Sequence, residues 1–160
     1  MRKPLLWGIA AGAVGTIALD VVSYLDMVVR ARPASSTPAD VAGALADRAG
    51  VELAAGGDDS EPAGNRRTAI GALLGYGVGL GVGAAYGLLR SVLPAPRRPW
   101  VAATSLGLAA MATSDLPATA LGVTDPRTWG AAGWVSDLLP HLAYGVATAT
   151  VYETLAGRGG

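Results

Sequence analysis

The run TAIGALLGYGVGLGVGAAYGLLRSVL, residues 68–93, decides the fold class of this chain. From Thr68 to Leu89 it holds no charged side chain, and about 20 such residues carry an α-helix across roughly 30 Å of hydrocarbon. Gly71, Gly75, Gly79, Gly83 and Gly87 recur at every fourth position, with Gly77 and Gly81 beside them. That spacing lines them along one helical face. In lipid the hydrophobic effect does not draw helices together, so small residues that allow close backbone approach carry the packing. The ladder therefore predicts a glycine zipper, against another helix of the chain or against a second copy. A glycine-lined pore is the sharper alternative.

Three more stretches read the same way: residues 5–29, 101–123 and 131–155. The first repeats the packing device with Gly8, Gly12 and Thr16. It follows a short basic start, but no small-x-small cleavage site closes it, so it reads as an uncleaved first span. Pro94 to Pro99 separates the second span from the third, and the polar turn Thr124–Gly130 joins the third to the fourth. Connections this short make neighbouring helices antiparallel. The prediction is a single all-α transmembrane domain over residues 1–160, a four-helix up-and-down bundle. Trp7, Trp100, Trp129 and Trp134 all fall at span starts, as an aromatic belt at both interfaces requires.

The long connection, residues 30–67, contains Thr37-Pro38-Ala39-Asp40, a helix-start signature. Val41, Leu45 and Ala49 follow at four-residue spacing, predicting a short amphipathic surface helix over about residues 38–50. The Gly-, Asp- and Ser-rich stretch from Gly56 to Asn65 reads as flexible.

Of the 160 residues 51% are hydrophobic and 15% charged, and the net charge is zero with no basic run, which argues against nucleic acid as a partner. There is no cysteine, so disulfides, thiolate metal sites and a Cys nucleophile are excluded. One lysine against eleven arginines, with abundant Ala and Gly, points to a GC-rich bacterial source and thus to a bacterial inner membrane. The twelve basic residues divide evenly between the two sides, so charge does not orient the chain; the usual dominance of the first span puts the N-terminus in the cytoplasm.

Ionisable groups within hydrocarbon are expensive and ask for a reason. Asp20, Asp115 and the pair Asp137 and His141 lie in spans one, three and four. At about 1.5 Å per residue, Asp20 and Asp115 fall about 5 Å from mid-span, His141 about 3 Å and Asp137 about 9 Å, all towards the same side. Asp20 continues the Gly8, Gly12, Thr16 row, and Asp137, His141 and Tyr144 share a face. Ser114, Tyr24, Tyr76 and Tyr144 are supporting candidates. Pro117 and Pro140 each free a backbone carbonyl at membrane depth. Balanced between burial and mutual attraction, such groups can exchange protons near neutral pH. One His and three Asp also form a hard metal-ligand set of low specificity. Asp26 and Arg30 read as an interfacial ion pair, and Glu153 as snorkelling to the opposite interface.

Gly133 to Gly145, GWVSDLLPHLAYG, with Thr113 to Thr119, TSDLPAT, resembles small four-span bacterial membrane proteins. The last span is similar to the YagU-like acid-resistance inner-membrane family. That resemblance implies a topology and no chemistry. The residues predict transport or conduction of protons or a small cation at the Asp/His cluster, without a cofactor, in a homo-oligomer or a larger membrane complex. Helix packing alone is the other reading of the cluster. An enzyme is third, because Ser114, Ser136 and His141 match no nucleophile motif.

Overall fold

The computed structural model describes residues 2–57, 60–94 and 98–158, and among them there is helix and no strand. The helices are α1 (Arg2–Arg30), α2 (Thr37–Ala49), α3 (Glu61–Arg90), α4 (Pro99–Ala120) and α5 (Ala131–Arg158), with a 3-10 turn at Pro126–Thr128. At about 1.5 Å per residue the shortest of the long helices, α4, is about 33 Å and α3 about 45 Å. By length and composition together α1 and α3 are apolar enough to cross a membrane, with mean hydropathies of 1.9 and 1.5. The polar groups and prolines of α4 and α5 dilute theirs.

The apolar surface of α1 and α3 is not gathered into a core. Only 28% of the most apolar stretch of α1 and 22% of that of α3 is buried. Val21, Leu25, Val28, Leu73, Leu89 and Val92 stand exposed. A water-soluble domain hides such residues or presents them in small patches.

α1 packs on α3 and on α5, α5 packs on α4, and α3 barely meets α4. The registers are antiparallel. Gly8 and Gly12 of α1 face Gly87, Gly83 and Gly79 of α3, while Gly107 of α4 faces His141 and Gly145 faces Ala103. The long helices therefore form an antiparallel row in the order α3, α1, α5, α4, open between α3 and α4. There an apolar groove of about 450 Å³ is lined by Ile70, Leu74, Gly77, Gly81 and Thr113, among others.

The zipper is real over most of its length. A methyl at Gly12 would lie 2.6 Å from the Gly79 carbonyl oxygen, a distance no Cβ adopts. Gly71 serves a different partner: it abuts the backbone of Pro38 and Ala39, so the start of α2 takes over where α1 leaves off. Between the two, Gly75 has open space. It is the one rung of the predicted ladder that packs on nothing, because α1 and α3 have begun to diverge.

The 30–67 connection is more ordered than its composition suggests. α3 begins at Glu61, not Thr68, because Ser60 caps it, accepting from the Ala63 amide at 3.4 Å, and Pro62 sits in its first turn. Leu53, Ala54 and Ala63 form a second small core with Ala46 and Ile70, and Arg66 donates to the Leu53 carbonyl. α2 lies where the sequence puts a helix, yet it packs through Ala42 and Gly43, leaving Leu45 and Ala49 outward. A Cβ at Gly43 would crowd the Arg67 side chain of α3, at 3.1 Å from its Nε. The left-handed Gly50 (φ 65°) ends this helix, with the Val51 amide bonded back to the Ala46 carbonyl at 2.9 Å.

Candidate functional site

The α4–α5 seam assembles the site. Gly107 and Gly145 let these two helices touch: a methyl at Gly107 would come within 2.6 Å of the His141 carbonyl. Two turns along from Gly107, α4 presents Ser114 and Asp115, and α5 presents Asp137 and His141 one turn apart. The His141 Nδ1 lies 2.8 Å from the Asp137 carbonyl oxygen and 3.4 Å from its Oδ1. The carbonyl can only accept, so Nδ1 carries the proton in the neutral ring and Nε2 is left as an acceptor. Nε2 faces the Ser114 hydroxyl at 3.4 Å. Asp115 follows Ser114 on α4 and is half-buried. Asp137 Oδ2 is buried with no hydrogen-bond partner.

Ser114, His141 and Asp137 thus align in the order of a nucleophile, base and orienting acid. However, Ser114 donates to the Met111 carbonyl at 2.9 Å, and the backbone amides around it are committed to α4. Acyl transfer needs unspent donors aimed at a developing oxyanion. The groups present are suited to holding and passing protons.

The other candidates are placed differently. Asp20, one turn beyond Thr16, makes no hydrogen bond or ion pair among the described residues, with Asp115, Asp137 and His141 included. Tyr24 and Tyr76 are exposed and apart from it. Tyr144 is buried and donates to the Gly79 carbonyl of α3 at 2.6 Å. Among the described residues no three His, Asp or Glu converge as metal ligands.

Two polar groups flank the seam. At one end Asp26 receives Arg30 (2.6 Å) and Arg32 (2.5 Å), and Arg30 also reaches Ser136 and the Ala132 carbonyl of α5. The predicted Asp26–Arg30 pair is therefore part of a clamp between α1 and α5. At the other end Glu153 does not reach out alone: Arg90 Nε donates to it at 2.8 Å and the Tyr86 hydroxyl at 3.0 Å. This set joins α3 to α5 and was not read from the sequence. The one available signal was that Arg90 and Glu153 both fall at span ends on one side.

No family model matches the chain, and neither a curated protein nor a solved structure is significantly similar to it.

Proposed function

We propose that this chain is an integral membrane protein of the bacterial inner membrane, crossing it with α1, α3, α4 and α5, and that Asp115, Asp137 and His141 take up and release protons there. Exposed apolar faces on long helices support the membrane reading.

The observation that carries the proton reading is the His141 ring, held between the Asp137 carboxylate at 3.4 Å and Ser114 of α4, next to Asp115, with Asp137 Oδ2 buried and lacking a hydrogen-bond partner. A carboxylate and an imidazole this close titrate as a unit. A proton is favoured over a metal cation because ligands do not converge in threes among the described residues. Asp115→Asn tests it: in liposomes it should lose proton flux at least tenfold, with the melting temperature in detergent within about 4 °C of wild type. A variant that comes apart instead supports a purely structural cluster. That second reading has its own support, since the Tyr144 hydroxyl ties α5 to α3 through a backbone carbonyl. The open α3–α4 groove and the outward Gly77 and Gly81 fit a homo-oligomer.

A further inference from the structure

The polar groups of α5 do not stop at His141. Asp137, His141, Tyr144, Thr148 and Tyr152 follow at spacings of four, three, four and four residues, which keeps them on one helical face. The row turns into the bundle: Tyr144, Thr148 and Tyr152 are all buried. It spans about 22 Å at about 1.5 Å per residue. Both its ends reach the outside through carboxylates, since the side chains of Asp137 and of Glu153, next to Tyr152, are 24% and 37% exposed.

Thr148 separates a route from a brace. Tyr144 and Tyr152 donate to the Gly79 and Gly87 carbonyls, at 2.6 and 3.2 Å, so a bracing role accounts for them. Thr148 is 0% exposed and its hydroxyl has no partner. Thr16, Thr113, Thr154 and Ser136 all bond back to the carbonyl four residues earlier, and Thr148 does not. Instead its hydroxyl lies over Gly15, beside the Tyr144 ring, where a Cβ on residue 15 would collide with both. A valine would pack there as well without burying a hydroxyl. A hydroxyl that binds nothing contributes nothing to holding helices together, yet it can accept one proton while releasing another.

We propose that this row is the route by which protons cross between the Asp115–Asp137–His141 site and Glu153. Thr148 is its central relay, and the Tyr86–Arg90–Glu153 group is its far mouth. It rests on the proton reading of that site. Successive groups are offset by about 4.5 to 6 Å along the helix axis, so each step of the relay takes a water or a side-chain rotation between them. Each hydroxyl takes a proton on a lone pair, gives up its own and rotates back before the next passage, so no bond or charge is left changed.

The test is proton flux into liposomes holding the full-length protein and a pH-sensitive dye, after an external acid step. Thr148→Val should slow flux at least tenfold with thermal stability equal to or above wild type. Thr148→Ser, which keeps the hydroxyl, should restore it. Should Thr148→Val fail to fold, Tyr152→Phe decides, with the same tenfold loss expected. If these hydroxyl-deleting variants conduct as wild type does while Asp115→Asn is dead, the route is wrong and the site stands. If wild type conducts no faster than empty vesicles, site and route fall together.

Discussion

At the scale of single residues, the same chemistry means different things in different surroundings. Asp125 and Arg127 sit in the short turn before α5, where Asp125 caps the Arg127 amide at 3.0 Å and pairs with its guanidinium at 2.9 Å. Those hydrogen bonds from Arg127 hold the Asp125 carboxyl below the usual carboxylate range. A folded-state value lowered in this way gives a contribution that is present above the unfolded carboxylate's titration and lost as pH falls through the folded one. The Arg127 amide resonance should therefore move only below the ordinary carboxylate range, and Asp125→Asn should abolish that titration. A shift at the ordinary Asp position would show that the turn does not hold. Asp137, with no arginine beside it, has His141 at 3.4 Å and a buried, unpartnered Oδ2, so its chemistry turns on where a proton sits. What the sequence offered here was residue type and depth. The azimuth that brings Ser114 of α4 to His141 of α5 is a property of packing, since a few degrees of helix rotation decide whether a side chain enters a seam.

At the scale of elements, glycine marks where backbones meet, and its spacing was legible because a four-residue repeat is local. The ladder predicts its own unequal sensitivity. Gly12→Val drives a side chain into the Gly79 carbonyl and the Gly83 backbone and should destabilise by about 3 kcal/mol, at the upper end of overpacking costs. Gly75→Ala meets open space and should stabilise by up to about 1 kcal/mol through helix propensity. Thermal unfolding in detergent reads both. Equal effects would mean that α1 and α3 do not separate before Gly75. Which rungs are used was not legible, because that depends on α2 inserting at Gly71, a contact between segments more than 30 positions apart. The outward turn of Leu45 has the same origin: periodicity showed an apolar stripe on α2 but could not show that smaller residues would face α3.

At the scale of the molecule, the proposal makes a topology that labelling can check. The chain has no cysteine, so single introduced cysteines report without background. With four crossings, Ser35→Cys and Thr128→Cys should be labelled from one side of sealed vesicles and Ser91→Cys from the other. If α1 and α3 alone cross, Ser91→Cys and Thr128→Cys report from the same side, and the four-span reading fails. The antiparallel packing of α3 on α1, α1 on α5 and α5 on α4 suits the first outcome. It also puts the Asp26 clamp at one end and the Glu153 group at the other, with the α5 row between them.

Sequence alone determined that this protein is built of long helices, where most of them start and stop to within a few residues, and that some meet through glycine. Those properties follow from composition and from periods of three to four residues, which are local; the start of α3 at Glu61 was missed because a capping serine, not an apolar run, sets it. Only the tertiary structure decided which helices are neighbours, that Ser114 of α4 meets His141 of α5, and that the row Tyr144, Thr148 and Tyr152 of α5 is turned inward. Such outcomes depend on the rotation of each helix about its axis, and that is set by contacts between residues far apart in the chain.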